Sequence, residues 1–304
     1  MRQFTESTLS DAVVARLSEC RSPRLRTVVA GAIRHLHAFA REVELTEEEW
    51  FEGIKFFTAV GQKCDDKRQE FILLSDVLGL SMMIVALNHK TPPGATEATV
   101  LGPFFAHGAP EFGEYGADLR AGASVKGEDA WVSGRVLSVD GRPLPGATLD
   151  VWQAKADGTY DVQDPAAGFE LRGRIKANDK GEYAFKTYKP RFYGVPTDGP
   201  VGDLLRAMGR HPMRPAHTHA IVAAPGHQPV ITHVFVGGDP YLDSDAVFAV
   251  KDSLVGNWRK VDSPEDARKL GMPNPFLRLD WDFRLAPEGA ARTRTTIAAS
   301  DAVA

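Results

Sequence analysis

The chain has 304 residues, of which 43% are hydrophobic and 25% charged, and its formal net charge is −4 at pH 7. This composition is typical of a folded globular protein with one large or two ordinary domains, which excludes a largely disordered chain. The slightly acidic balance gives no reason to expect nucleic acid or an anionic membrane as a partner.

The N-terminal sequence lacks the continuous apolar core of a secretory signal. The longest apolar stretch, from about Leu78 to Leu87, is too short and too interrupted to cross a bilayer. The two cysteines, Cys20 and Cys64, form no CxxC motif, so we expect reduced thiols. Together these features predict a cytoplasmic protein without membrane insertion.

The first part of the chain has a helical pattern, with apolar residues at helical spacing between Val28 and Phe39. Thr46 precedes three glutamates, which is typical of an N-cap followed by an acidic first turn. A further helix is predicted from Lys67 or Arg68 to Leu87. We therefore predict three or four helices in a domain that spans residues 1–95.

After Thr91-Pro92-Pro93-Gly94, prolines and glycines separate short β-rich runs. Because these runs do not alternate with helices, an antiparallel β-sandwich is favoured over a parallel α/β sheet. The predicted fold class is mainly β with α: the N-terminal helical domain, a β-sandwich domain over residues 96–286, and a mobile tail over 287–304. The predicted strands are Ala130–Ser138, Thr148–Gln153, Gly181–Lys186, His217–Ala224 and Val230–Val236. Short helices are predicted in the loops at Leu204–Met208 and Ser244–Ser253.

The segment Arg214-Pro215-Ala216-His217-Thr218-His219 runs into an apolar stretch that is typical of a strand. Residues two apart on a strand point to the same face, so His217 and His219 can present two imidazoles to one metal ion. The pair by itself indicates only a generic metal site.

Two tyrosines upstream of this pair occupy turns or irregular segments, where a tyrosine usually only packs. With the histidines, Tyr160 and Tyr193 would form a donor set of two nitrogens and two oxygens, and phenolate oxygens suit a ferric ion. No cysteine is close in sequence, and the set is not two histidines with one carboxylate. The donors therefore favour Fe(III) over structural zinc or a ferrous centre.

The chain resembles the intradiol ring-cleavage dioxygenases, of the catechol 1,2-dioxygenase type. The resemblance extends from the N-terminal helices to about Leu285, and the RPAHxH motif with two upstream tyrosines is specific. The segments that carry it are Asp150-Val151-Trp152-Gln153-Ala154, Asp157-Gly158-Thr159-Tyr160, Tyr193-Gly194, the run from Gly209 to His219, Ala224-Pro225-Gly226-His227 and Gly238-Asp239-Pro240-Tyr241-Leu242.

The resemblance implies Fe(III) held by Tyr160, Tyr193, His217 and His219, with a small aromatic diol or triol and O2 as substrates. It makes Tyr193 one candidate acceptor for a substrate proton. Arg214, a permanent cation near the metal, is expected to stabilise negative charge on the substrate. Family members are usually homodimers built through the N-terminal helices with a phospholipid in the helical interface, so both features are expected here.

Two loops, at residues 96–104 and 241–248, resemble the hydroxyquinol 1,2-dioxygenase branch of this family. His233 lies where catechol-cleaving relatives commonly have glutamine. The resemblance implies a substrate pocket that includes a helix position, one loop and residues near the metal: Asp76, Val100, Leu101, Gly102, Pro103, Phe104, Val195, Pro196, Arg214 and His233.

Asp76 stands in an otherwise apolar stretch, where a buried carboxylate without a partner would be destabilising. A third hydroxyl on the substrate ring would supply that partner. Alternatively, Asp76 faces solvent on an amphipathic helix. The first interpretation predicts benzene-1,2,4-triol as substrate and 3-hydroxy-cis,cis-muconate as product.

Three other functions stay open on sequence grounds. The first is cleavage of catechol or chlorocatechol to cis,cis-muconates. The second is a non-enzymatic β-sandwich module that binds a hydrophobic ligand. The third is a zinc hydrolase that uses His217 and His219.

Overall fold

The computed structural model describes residues 3–65, 68–113, 115–164, 166 and 168–290. The chain divides into two compact units, Met1–Ala59 and Val60–Ala304. The domain boundary after residue 95 stays a prediction. A mobile tail was predicted for residues 287–304. Of these, residues 291–304 lie outside the described residues.

The described residues form five α-helices before residue 90, and then strands with two further helices among them. The α-helices are α1 (Glu6–Ala15), α2 (Pro23–Glu42), α3 (Glu47–Gln62), α4 (Glu70–Val77), α5 (Leu80–Asn88), α6 (Pro200–Ala207) and α7 (Pro264–Leu270). The strands are β1 (Glu111–Phe112), β2 (Ala117–Asp118), β3 (Asp129–Ser138), β4 (Thr148–Gln153), β5 (Arg172–Lys176), β6 (Glu182–Tyr188), β7 (Tyr193–Gly194), β8 (Met213–Arg214), β9 (His217–Ala223), β10 (Val230–Val236), β11 (Val255–Gly256), β12 (Arg259–Val261), β13 (Phe276–Asp280) and β14 (Phe283–Leu285).

The N-cap predicted at Thr46 is confirmed. The Glu49 N–H donates to the Thr46 hydroxyl at 3.2 Å, and the Thr46 N–H donates to the Glu49 carboxylate at 3.0 Å. This reciprocal pair satisfies two backbone donors that the start of α3 would otherwise leave unpaired.

The single helix predicted up to Leu87 is wrong in one respect, because it is broken into α4 and α5. Gly79 joins them with φ 75°, a left-handed conformation that glycine adopts without steric cost. The axes of the two helices differ by 80°. The break ends α4 shortly after Asp76 and so fixes where that carboxylate lies.

Within the part of the chain that the structure describes, no single helix is long and apolar enough to cross a membrane. Among the described residues, one bent pair of helices, α4 and α5, reaches the length and composition of such a span when taken together.

The β strands form two six-stranded sheets and a short ribbon, and the predicted fold class, mainly β with α, is confirmed. The first sheet has the order β1-β5-β4-β9-β10-β11. The second has the order β12-β13-β3-β6-β2, with β14 also paired to β3. Side chains from both sheets share one apolar core, which makes the pair a sandwich.

The sheets are mixed, whereas purely antiparallel sheets were predicted. β9 is antiparallel to β4 and β10, and β3 is antiparallel to β6. However, β1 runs parallel to β5, β2 to β6, β11 to β10, and both β13 and β14 to β3. Hairpin turns impose antiparallel pairing, whereas these five strands arrive through long connections that permit the parallel direction.

The alternation of side chains along β9 decides where the candidate site lies. Ala220 and Val222 pack in the sandwich core. Since successive strand residues point to opposite faces, His217 and His219 project from the other face of the first sheet. The candidate metal ligands therefore lie outside the sandwich core and are covered by loops.

The helix predicted at Ser244–Ser253 is wrong, while the one predicted at Leu204–Met208 largely coincides with α6. The Asp245 carboxylate accepts the N–H groups of Val247 and Ala249, which turns the chain locally and competes with a helix. Only short 3-10 turns remain near the two ends of this segment, at Leu242–Ser244 and Asp252–Leu254.

Candidate metal centre

Four potential donor atoms converge on the outer face of the first sheet. The His219 Nε2 atom lies 3.1 Å from the Tyr160 hydroxyl oxygen and 3.1 Å from His217 Nε2. The Tyr193 ring lies 5.2 Å from the Tyr160 ring and 5.6 Å from the His217 ring, between centroids. Donor separations near 3 Å suit one ion with bonds of about 2 Å. The structure thus brings together the four residues predicted as ligands.

Strand pairing places these side chains. In the β7–β8 ribbon, Tyr193 pairs with Arg214. Across the first sheet, His219 on β9 pairs with Trp152 on β4 and with His233 on β10. The Trp152 indole stacks on the His219 imidazole with centroids 4.6 Å apart and planes inclined by 11°. This stacking fixes the plane of the imidazole.

Hydrogen bonds select the ring nitrogen that each candidate ligand presents. His217 Nδ1 lies 2.7 Å from the Pro215 carbonyl oxygen, so it carries the proton and leaves Nε2 with a free lone pair. Burial, with Arg214 as a second cause, lowers the pKa of His217 to about 3, and burial also lowers the pKa of His219. Both imidazoles are therefore neutral, which is the form that binds a metal.

His233 is completely buried beside these ligands. Ring nitrogens of His217, His219 and His233 lie within 4.8 Å of one another, which by itself resembles a three-histidine site. However, His233 Nε2 lies 2.8 Å from His219 Nδ1, the ring nitrogen not shared with Tyr160. His233 is thus positioned to orient His219. Contact between His233 and a substrate stays a prediction.

Tyr160 is completely buried, and burial, with Tyr193 as the second cause, raises its pKa well above 10. A phenolate at this position therefore requires a bound cation to offset its desolvation. The Tyr160 oxygen and the two imidazole Nε2 atoms form a chain in which neighbouring atoms are 3.1 Å apart. Two neutral imidazoles and two phenol oxygens fit a metal cation that supplies this compensation.

A buried ion pair between Asp161 and Arg172 supports Tyr160. Arg172 Nε donates to the Asp161 carboxylate at 2.6 Å, and Arg172 Nη2 donates to the Phe104 carbonyl at 3.1 Å. The Phe104 ring stacks on Tyr160 with centroids 4.4 Å apart. Sequence reasoning missed Asp161 and Arg172, although an acid directly after a candidate ligand was a signal that could have found the first.

The predicted pocket loop lies against the metal centre at Gly102. This glycine has φ 77°, and a Cβ atom there would lie 3.1 Å from His219 Cε1. Only glycine allows the backbone to approach the imidazole so closely. Leu101 and Phe104 pack against an apolar cluster that includes Tyr160 and Tyr193. The loop therefore forms part of the wall around the donors.

Four other predicted pocket residues flank these positions in the sequence. Val100 and Val195 are buried, Pro196 is partly buried and Pro103 is exposed. Their contact with a substrate stays a prediction.

Arg214 is buried beside the donors. Its Nη1 atom lies 3.3 Å from the Tyr193 hydroxyl oxygen and 3.5 Å from His217 Nε2. Its Nε donates to the Asp245 carboxylate at 3.1 Å. Burial alone would lower the pKa of Arg214, but Asp245 and Tyr193 raise it above its ordinary value. Arg214 is thus a fixed cation. Sequence reasoning missed its partner Asp245, which has no distinctive local pattern.

Asp76 is only 7% exposed, so the alternative in which it faces solvent is wrong. The pKa of Asp76 is raised above its ordinary value. Burial is the largest cause and the charge of Asp245 adds to it, whereas a hydrogen bond from Ser81 and the charge of Arg214 oppose the rise. Asp76 is thus buried, and its charge interacts with that of Arg214. Contact between Asp76 and a substrate stays a prediction.

Comparisons with known proteins cover both the helical and the β segments. Residues 22–96 match the family profile "Catechol dioxygenase N terminus", and residues 100–287 match the profile "Dioxygenase". The chain is 52% identical over 291 residues to 6-chlorohydroxyquinol 1,2-dioxygenase of Cupriavidus pinatubonensis, covering 94% of this chain and 99% of that protein. It is 49% identical to hydroxyquinol 1,2-dioxygenase of Rhizobium sp., covering 93% of this chain and 96% of that protein.

Solved structures show the same similarity. The crystal structure of hydroxyquinol 1,2-dioxygenase from Pseudomonas putida has a TM-score of 0.88 at 49% identity, covering 93% of this chain and 99% of that chain. Catechol 1,2-dioxygenase from Acinetobacter radioresistens has a TM-score of 0.84 at 28% identity, covering 98% of each chain.

Proposed function

Because the chain belongs to the family of intradiol ring-cleavage dioxygenases, we propose that it cleaves benzene-1,2,4-triol (hydroxyquinol) with O2. The ring opens between the two adjacent hydroxylated carbons, both oxygen atoms enter the product, and the product is 3-hydroxy-cis,cis-muconate. Names of relatives that act on hydroxyquinols support this choice over catechol or chlorocatechol. Nothing comparable supports a zinc hydrolase or a non-enzymatic module.

The observation that carries the choice of substrate is the buried carboxylate of Asp76. It is 7% exposed and lies within electrostatic reach of Arg214. A carboxylate in such a place can accept a hydrogen bond from a ring hydroxyl, and catechol has no third hydroxyl to donate it. The pocket therefore favours a triol.

Family membership implies a non-haem iron, and we propose that it is Fe(III) held by Tyr160, Tyr193, His217 and His219. The neutral imidazoles and the cation that buried Tyr160 requires support this set. When bound, the ion supplies Lewis-acid activation and a template for the two diol oxygens.

Tyr193 is the proposed proton acceptor. Tyr160 is held by stacking on Phe104 and is completely buried, whereas Tyr193 is 8% exposed and lies on a two-residue strand. Its hydroxyl oxygen accepts a hydrogen bond from Arg214 at 3.3 Å. As the phenolate that would bind the ion, Tyr193 can therefore take up a substrate proton at its oxygen and become a neutral phenol.

Arg214 stabilises negative charge on the bound substrate. Its cation is held by the Asp245 carboxylate at 3.1 Å and points Nη1 towards the donors. A buried, fixed cation interacts strongly with charge that develops nearby, because water does not screen it.

We also propose that the protein is a homodimer built through its N-terminal helices, with a phospholipid in the helical interface. Large apolar side chains on α2 and α3 are exposed, which supports both features: Leu25, Val28, Leu36, Phe39, Trp50, Phe51, Ile54 and Phe57. A cytoplasmic location is proposed as well, and the free thiols of Cys20 and Cys64 support it.

The direct test compares triol and catechol with the purified, iron-loaded protein. We expect a higher kcat/KM for the triol, one O2 consumed per triol and formation of the hydroxymuconate. Phenolate ligands should give the ferric protein a visible absorption band. Addition of the triol without O2 should shift this band without forming product. Equal or better turnover of catechol would contradict the choice of substrate.

Replacing Asp76 by asparagine should lower kcat/KM for the triol by roughly 10-fold, because the substrate hydroxyl would then donate to a neutral amide oxygen and no longer to a charged carboxylate. The kcat/KM for catechol should change little, since catechol offers this position no hydroxyl. Asp203→Asn, an exposed carboxylate on α6, is the matched control. Equal losses for both substrates would show that Asp76 acts only through the fold.

A further inference from the structure

Arg210 joins the two segments that carry the carboxylates of the pocket. Its Nη1 donates to the Val77 carbonyl at 2.6 Å, and its Nη2 donates to the Ala246 carbonyl at 3.0 Å. Val77 directly follows Asp76 on α4, and Ala246 directly follows Asp245. One planar guanidinium therefore fixes the backbone beside each carboxylate through two donors at a fixed spacing, whereas the donors of an ammonium rotate on a flexible stem.

Phe248, which is partly exposed to solvent, contacts both Arg210 and Gly79. The Arg210 guanidinium carbon lies 4.8 Å from the centre of the Phe248 ring. Phe248 has φ 60°, a left-handed conformation that is strained for a bulky residue and persists only where its surroundings hold it. Its ring faces Gly79, where a Cβ atom would lie 3.5 Å away. The segment at Asp245 and the break after α4 are thus packed together.

The position of Asp245 also determines that of Arg214. The Asp245 carboxylate holds Arg214, and the Ala246 N–H donates to the Met213 carbonyl at 3.0 Å. The end of α4 determines the position of Asp76. The separation between the Asp76 carboxylate and the Arg214 cation therefore depends on the connection that Arg210 makes.

We propose that Arg210 is a positioning residue for substrate specificity. It holds Asp76 and Arg214 at the separation that accepts a ring with a third hydroxyl, without touching the substrate itself. This inference rests on the proposed function, because it concerns the preference for the triol over catechol.

The test measures kcat/KM for the triol and for catechol in Arg210→Met and divides the first by the second; this quotient is called the ratio below. Both values come from one preparation, so the ratio does not depend on the fraction of folded enzyme. We expect the ratio to fall by roughly 10-fold or more, since small displacements of positioning groups have effects of this size. The visible band of the iron centre should keep its position, because none of the four proposed ligands changes.

A double-variant comparison separates positioning from general destabilisation. In an Asp76→Asn background, Arg210→Met should change the ratio by less than about twofold, because the charge that it positions is already removed. Arg206→Met, an exposed arginine on α6, is the matched control and should leave the ratio at the wild-type value. If Arg210→Met fails to fold, Arg210→Lys removes the planar pair of donors and gives the same test.

The outcomes distinguish the two proposals. A wild-type enzyme that prefers catechol overturns both the proposed substrate and the role of Arg210. A wild-type preference for the triol that survives in Arg210→Met or Arg210→Lys overturns the role of Arg210 alone. A further fall of the ratio in the Asp76→Asn background also overturns it, because Arg210 would then act through another group.

Discussion

Replacing Tyr160 by phenylalanine is expected to abolish or shift the visible phenolate-to-iron absorption and to lower kcat/KM by more than about 100-fold. Removing a group that only supports a metal ligand costs up to about 100-fold, and removing a ligand itself should cost more. The ring of Tyr160 is completely buried and stacks on Phe104. Phenylalanine fills the same space, so the substitution removes one oxygen donor and leaves the packing intact. The visible spectrum, the iron content and kcat/KM on the triol measure the effect.

The matched control for this substitution is Tyr183→Phe. Tyr183 is also almost completely buried, and its hydroxyl donates to the Trp281 carbonyl at 2.7 Å. Loss of that hydrogen bond should reduce the free energy of unfolding by about 1 kcal/mol and leave the visible band unchanged. An unaltered band in Tyr160→Phe would contradict the proposed ligand set. A wild-type protein that is colourless after iron loading would contradict Fe(III)–phenolate ligation altogether.

Replacing Arg214 by methionine is expected to reduce the free energy of unfolding at neutral pH by about 3–5 kcal/mol, because it leaves a buried carboxylate without its counter-charge. Arg214 and Asp245 are both buried, with 3% and 5% of their surface exposed. Activity should be lost as well, because the fixed cation beside Tyr193 is gone. Urea denaturation and kcat/KM measure the two effects separately.

The loss of stability in Arg214→Met should shrink as pH falls. Burial would raise the pKa of Asp245, but Arg214 lowers it below the ordinary value. In the wild type, this stabilisation is present above the unfolded pKa and is lost as pH falls through the folded pKa. In the variant, burial dominates, and Asp245 is protonated at higher pH. The difference between the two proteins should therefore decrease from about pH 7 towards pH 4.

Two variants control this experiment. Arg174→Met breaks a partly exposed pair with Asp150, which lies on the neighbouring strand of the first sheet. It should reduce the free energy of unfolding by less than about 1 kcal/mol. Arg214→Met combined with Asp245→Asn removes both charges and keeps an oxygen acceptor for the N–H groups of Val247 and Ala249, so it should regain part of the stability without regaining activity. If Arg214→Met costs no more than Arg174→Met, the buried pair does not stabilise the fold as argued.

Features that depend on neighbours in the sequence could be predicted. The strands Thr148–Gln153 and Val230–Val236 have the bounds that their apolar pattern predicts. The cap at Thr46 also depends only on residues within one turn. By contrast, β5 was not predicted, because Arg172, Arg174 and Lys176 give it the appearance of a polar loop. Arg172 is charged and yet buried, since Asp161 pairs with it from eleven positions away.

The donor types and their common face were determined by the sequence alone. The spacing of His217 and His219 on a strand places both imidazoles on one side, whatever the rest of the fold, and Tyr160 and Tyr193 are the proposed oxygen donors. Family membership follows from the same local motifs.

Only the tertiary structure decided how the pocket is built around these donors. The burial of Asp76, the pairing of Arg214 with Asp245 and the connection from Arg210 to Val77 join residues that are distant in the chain; the last spans 133 positions. Such contacts leave no local pattern, because each residue would have the same propensities with or without its partner. Chain topology determines which charged side chains come into contact, and the free energy of a buried charge depends on whether it contacts a charge of opposite sign.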